Sequence, residues 1–279
     1  MRIYISTILV FIASGLMAQM QTPQPSPSAM LKQTVGLTEI SIEYSRPAMR
    51  GRVIMGDLVP YGAIWRTGAN ANTTIQFSDP VSIGSTTIPA GTYAIFTRPG
   101  QKMWEVFFYS KTDNWGAPTS WDVQAVAATY EAEVHTLSET VSSFTISIGS
   151  ITNNDAVLEI SWENTKVGIP IAVPTKAKMQ KSIAEAMKNN PKAQDYYSAA
   201  VYYLQEGLDL QQAKSWMEQS LKENNEAYWV HRQYALILAG LNEMDAAIAA
   251  AKTSLELAEK AGNQDYVKMN TESIAAWQK

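Results

Sequence analysis

The chain of 279 residues is 46% hydrophobic and 17% charged, which supplies apolar material for two ordinary domains and excludes a disordered tail. Its 22 Lys+Arg against 26 Asp+Glu argue against a general nucleic-acid binder, which needs a basic surface. With no cysteine and only His135 and His231, thiol nucleophiles, thiolate-bound zinc, iron–sulfur clusters and lipidated cysteine are all ruled out.

Residues 1–18 read as a secretory signal peptide. Arg2 precedes the apolar run Ile3 to Ala13, and small residues lead to a cleavage position after Ala18. The run is shorter than the ~20 apolar residues of a spanning helix and has no basic flank after it. Later apolar stretches are broken by polar residues. The expectation is an exported, periplasmic protein with no membrane span after cleavage. Residues 19–28 contain three prolines and read as an extended linker.

From 29 to 174 the period is two. Alternation predicts strands in Glu39–Tyr44, Thr74–Phe77, Thr92–Thr97, Trp104–Tyr109, Ser143–Ile148 and Val157–Trp162. Gly-, Pro- and Asn-rich turns separate them, as at Arg98-Pro99-Gly100 and Asn153-Asn154-Asp155. Short strands joined this way predict an antiparallel β-sandwich or barrel-like domain. The fold class is therefore α+β and multidomain, because residues 175–279 change to the three-and-four spacing of helices.

Six helices are expected there: Thr175–Lys188, Gln194–Gln205, Leu210–Glu223, Glu226–Ala239, Glu243–Ala261 and Gln264–Gln278. A shift of 34 residues superposes Leu204 on Leu238, Ala213 on Ala247, Ser220 on Ser254 and Leu221 on Leu255. That period, with small residues where helices approach, resembles the tetratricopeptide repeat. Val201 departs from the repeat's preference for a small residue, and no proline follows the two full repeats. So short an array is expected to lean on the β domain or on a second copy. The resemblance implies a protein partner.

Most of the distinctive chemistry lies between Arg46 and Asn70. Beyond the signal the arginines are at 46, 50, 52, 66, 98 and 232, and four of the six fall in 21 consecutive residues. Arginine presents a planar fork of donors suited to carboxylate or phosphate. Arg46, Arg50, Arg52 and Arg66, with Asp57, Tyr61 and Asn70, are therefore a candidate site for a small anion. The competing reading has the arginines pairing with Asp57, Glu43 and backbone carbonyls to pin a long loop. The string Arg46-Pro47, Gly51-Arg52, Gly56-Asp57-Leu58-Val59-Pro60-Tyr61-Gly62, Trp65-Arg66-Thr67-Gly68-Ala69-Asn70 and Pro89-Ala90-Gly91-Thr92-Tyr93 resembles the bacterial exported family known as domain of unknown function 2911, over about Ser28 to Pro170. The resemblance implies export, a β-rich domain and frequent attachment of helical repeats, and brings no catalytic residue with it.

Other signals are weaker. His135 lacks converging ligands at metal-binding spacing, and no catalytic residue, metal or other cofactor is expected. Trp115 and Trp121 flank a turn-rich segment that can display rings to a glycan, or peg the loop down. Glu131/Glu133 and Glu159/Glu163 are same-face strand pairs, a spacing any strand provides. Two functions are weighed: an exported non-enzymatic scaffold binding an anion or glycan and a protein partner, and an envelope hydrolase- or transferase-like enzyme whose arginine loop stabilises developing charge. The second needs a general base, for which Asp57 and Tyr61 are the local candidates.

Overall fold

A computed structural model describes residues 22–279. The expected signal peptide and the first part of the expected linker lie outside the described residues. The chain forms two compact units divided between Pro174 and Thr175.

The first unit is a single antiparallel sheet of nine strands: β1 (Ser28–Val35), β2 (Thr38–Ser45), β3 (Thr74–Phe77), β4 (Val81–Ile83), β5 (Thr86–Ile88), β6 (Gly91–Arg98), β7 (Met103–Tyr109), β8 (Val126–Gly149) and β9 (Asp155–Ala172). Their order across the sheet is β1-β2-β3-β6-β7-β8-β9-β4-β5. All the strands expected from alternation are present. β1, β4 and β5 add to them, and β8 and β9 run far beyond the six-residue stretches that the alternation marks.

Alternation along β2 buries Ile40, Ile42 and Tyr44 and leaves Glu39 and Glu43 outside. The same period on β9 buries Leu158, Ile160 and Trp162. These inward faces meet in one apolar cluster that also holds Ile75, Trp104, Phe108 and Phe144, so the sheet folds over onto itself. Each fully buried side chain of this size contributes about 1.5–3 kcal/mol. Closure is also polar. Arg46 Nε and NH2 donate to Phe144 O (3.0 Å) and Thr145 Oγ1 (2.8 Å). Tyr44 Oη accepts from Ile146 N (3.2 Å), and Ala48 bridges Ser143. The chain leaving β2 is thereby tied to β8, and the 28-residue connection from Arg46 to Thr73 lies over that seam.

β8 and β9 lose register between Thr136 and Val141 and again between Val141 and Thr145. Extra residues in one strand bend it and re-aim side chains. Glu163, opposite Val141, takes a left-handed φ of 56°.

The second unit contains α1 (Thr175–Lys188), α2 (Ala193–Gln205), α3 (Leu210–Leu221), α4 (Tyr228–Gly240), α5 (Met244–Lys260) and α6 (Gln264–Trp277). All six fall within two residues of the expected bounds. Small residues let the helices approach: Ala200, Ala213, Ala235, Ala247 and Ala251 are fully buried. Asp209 and Asn263 cap α3 and α6 by accepting from Gln212 N and Tyr266 N, which satisfies otherwise orphaned donors. A polar chain crosses the last three helices. Asn270 Nδ2 donates to Ser254 Oγ (2.8 Å), whose hydroxyl donates to Tyr228 O (2.7 Å). Arg232 donates to Ser273 Oγ (2.9 Å), and partial burial lowers its pKa. Among the described residues no helix is long and apolar enough to cross a membrane.

Candidate functional site

The connection from Arg46 to Thr73 has no regular structure, so its backbone groups must find partners elsewhere. Trp65 supplies two: its N donates to Thr97 O (2.7 Å) and its O accepts from Thr97 N (2.9 Å), an isolated bridge to β6. Its ring fills the centre of an aromatic group. It stacks on Trp162 at 6.0 Å between centroids and meets Phe144 and Trp104 edge-on at 5.2 and 6.2 Å. Glu163 supplies the next anchor, its carboxylate accepting from Ile54 N (3.3 Å) and Met55 N (3.1 Å). Glu163 stands on β9 opposite the extra residues of β8, where the register shifts.

Just after Trp65 the backbone is strained. Thr67, fully buried and β-branched, has φ 56°, and Asn70 has φ 59°; such conformations cost of order 1–3 kcal/mol each and cluster at functional sites. Thr67 is held through its hydroxyl, which lies 3.3 Å from Trp65 O and 3.1 Å from Thr97 Oγ1, donating to one and able to accept from the other. Asn70 Nδ2 donates to Ser26 O (3.1 Å) and Ser45 Oγ (3.3 Å). Gly68 lies between them at φ 145°, where an added Cβ would stand 3.0 Å from Thr73 Oγ1 and 3.2 Å from Ser45 O. Gly68→Ala is therefore expected to lose about 1–3 kcal/mol, visible as a lower urea midpoint. An unchanged midpoint would show that the turn tolerates a side chain.

A cavity of about 350 Å³ opens beside this turn, lined on its charged side by Arg50, Arg52 and Arg66 and on its apolar side by Trp65, Trp162 and Pro47. Of the seven residues singled out from sequence, those three arginines line it. Arg46 turns instead to β8 as a brace, and Asn70 holds the turn. Asp57 and Tyr61 are exposed and do not line the cavity. The arginines are partly employed. Arg50 donates one bond to Pro25 O (3.1 Å), Arg66 one to Asn70 O (2.9 Å), and Arg52 two, to Met49 O (2.9 Å) and Ala48 O (2.7 Å).

A guanidinium carries five N–H donors, so each keeps several for a ligand. Neither Asp57 nor Glu43 pairs with them. Among the described residues none of Arg46, Arg50, Arg52 and Arg66 forms an ion pair, whereas Arg98 pairs with Glu105. Three positive charges thus share one cavity with no carboxylate to balance them. Trp162 is buried and lines the same cavity, and its Nε1 has no hydrogen-bond partner.

The family model described as "Protein of unknown function (DUF2911)" matches residues 26–171, just over half of the chain and all but the last residue of the sheet. The chain belongs to the DUF2911 family. No curated protein and no solved structure matches it. Within the DUF2911 segment fall the three cavity arginines, Glu163 and the strained turn at Thr67–Asn70.

The remaining sequence candidates resolve as follows. Trp115 is 76% exposed, but Trp121 packs among Phe96, Phe107 and Tyr109 as a peg, so the two rings form no joint platform. Gly116, between them, lies against Arg66: an added Cβ would stand 3.2 Å from NH1. Glu159 bonds Lys166 Nζ (2.9 Å) and Ser147 Oγ (3.1 Å). The Lys166 bond holds its carboxyl below the usual carboxylate range. Its pairing therefore stabilises the fold above that range and is lost on acidification. Glu131 and Glu133 face Glu105 and Met103 across the β7–β8 ladder. Among the described residues no group of three or more His, Asp and Glu is placed to hold a metal. His231 Nε2 lies 2.8 Å from Asn225 O.

Sequence reasoning found the arginines from their clustering and missed Glu163 as an anchor. Its partners are backbone N–H groups more than a hundred residues away, which leave no side-chain pattern to read.

Proposed function

We propose that this DUF2911 protein is an exported, periplasmic, non-enzymatic binding protein whose β-rich unit holds a small carboxylate- or phosphate-bearing ligand and whose helical unit engages a protein partner. The observation that carries the ligand reading is the convergence of Arg50, Arg52 and Arg66 on one cavity without a balancing carboxylate. Guanidinium groups gathered without a counter-charge set up a local positive field that attracts a ligand of opposite sign and offers it forked donors. The half-buried Trp65 ring, backed by Trp162, gives the apolar part of such a ligand a wall to rest on.

Export rests on the residues at the start of the sequence, Arg2, the apolar run and the small residues before Gln19. The tetratricopeptide reading is supported by the helix spacing. α3 and α5 begin 34 residues apart, at Leu210 and Met244, and Ala213, Ala247, Ser220 and Ser254 are all fully buried. Arrays of this kind present an extended groove to a partner.

An enzyme using the arginines for charge stabilisation is the second reading. It needs a proton-transfer group on the cavity. Asp57 and Tyr61 stand outside the lining, and both Glu163 oxygens are committed to the loop backbone, which favours binding over acid–base chemistry.

Calorimetric titration of the full chain with malonate, inorganic phosphate and malonamide tests the ligand reading. At least one of the two anions is expected to bind, more weakly as ionic strength rises, and malonamide is expected not to compete. Equal binding of malonate and malonamide, or no heat from either anion, would overturn it.

A further inference from the structure

A second cleft of about 400 Å³ lies between the start of β1, the end of β2 and residues 71–74. Its chemistry is unlike that of the arginine cavity. Asn72 is 7% exposed and lines the cleft, and both ends of its amide, Oδ1 and Nδ2, lack a hydrogen-bond partner. Buried amides are nearly always paired, and one with both ends unmet needs an explanation. Glu43, on the outward face of β2, lines the same cleft and forms no ion pair among the described residues. No Lys or Arg belongs to the lining, and the hydroxyls of Ser28, Thr74 and Thr112 complete the polar side. Met30, 70% exposed, gives it an apolar lip.

We propose that this cleft is a binding site for an uncharged polyhydroxylated ligand, a hexopyranose unit. An amide offers an acceptor and donors side by side, and a pair of neighbouring hydroxyls meets both at once because each hydroxyl donates and accepts. The Glu43 carboxylate only accepts, which suits further hydroxyl donors and repels an anion. The hydroxyl groups of the wall accept or donate as a sugar ring requires, and the Met30 side chain covers the C–H face of the ring. The volume lies within the range of small-ligand sites. This site is independent of the anion cavity, since the two linings share no residue.

Two-dimensional NMR titration of the full chain with methyl glucoside, methyl galactoside and methyl mannoside tests the proposal. At least one sugar is expected to shift the amide signals of Ser28, Thr74 and Thr112, and Asn72→Leu is expected to weaken binding at least tenfold. Glu43→Gln, at an exposed position, serves if Asn72→Leu does not fold, with a several-fold loss expected. Arg66→Ala should leave sugar binding unchanged while weakening anion binding roughly tenfold or more, so failure of one site is distinguishable from failure of the other. Tighter binding of a trisaccharide than of the methyl hexoside would assign a glycan as the source, and equal binding a free sugar. No shift with any of the sugars, unchanged affinity in both variants, or the same amide shifts produced by methylammonium or tetraglycine instead would overturn the proposal.

Discussion

Replacing Arg50 and Arg66 together with alanine is expected to weaken anion binding roughly a hundredfold or more while leaving the fold in place. Each guanidinium makes a single bond to a backbone carbonyl, to Pro25 O and to Asn70 O, so its structural duty is small and most of its donors are uncommitted. A hydrogen bond to a charged group is worth about 1.5–3 kcal/mol, and two lost together give at least that hundredfold. Arg52, with two carbonyl bonds of its own, should weaken both binding and the loop. Arg66→Lys keeps the charge and loses the fork, so it is expected to recover part of the affinity. The check is the same malonate or phosphate titration beside a thermal melt. Variants that unfold outright would assign the arginines to bracing alone.

Trp65→Ala is expected to cost the most stability of any single change in the loop, about 3–5 kcal/mol. The ring contacts Trp162, Phe144 and Trp104, and its Nε1 donates to Gly68 O (3.2 Å). Removing it leaves a hole at the aromatic centre and an unmet carbonyl in a turn that already carries strained Thr67 and Asn70. For a unit of this size the change lowers Tm by roughly 6–20 °C. Binding should disappear with it, because Trp65 is also a wall of the arginine cavity. A variant melting within a degree or two of the parent would mean that the loop is held mainly by Glu163 and the backbone bridges.

What could be read in advance followed physical legibility. Long helices with three-and-four spacing were visible to within two residues, as with α5, whose Ala247, Ala251 and Ser254 repeat the buried face. Strands with one buried face, such as β2, were equally plain. β1 was obscured because it is an edge strand whose side chains alternate only between exposed and half-buried, and β4 and β5 because three residues hold too little pattern. The length of β8 and β9 was hidden by the bulges, which interrupt alternation while the backbone pairing continues.

Within the candidate site, clustering of arginine marked the loop, and three of its four arginines line one cavity. It did not separate Arg46, whose partners lie about 98 residues along the chain, from the three that line the cavity. Asp57 and Tyr61 were close in sequence but point to solvent, because proximity along an irregular loop does not fix direction. Asn72 carried no signal at all: an unpaired amide is visible only once its surroundings are known.

Bromide soaked into crystals of the full chain, located by anomalous scattering, tests the account most directly. The convergence of Arg50, Arg52 and Arg66 predicts a bromide peak inside the cavity, in contact with at least one of these guanidinium groups, and its loss in the Arg50→Ala/Arg66→Ala variant. Bromide bound elsewhere on the surface with none at these three arginines, or a cavity peak that persists in the variant, would contradict it.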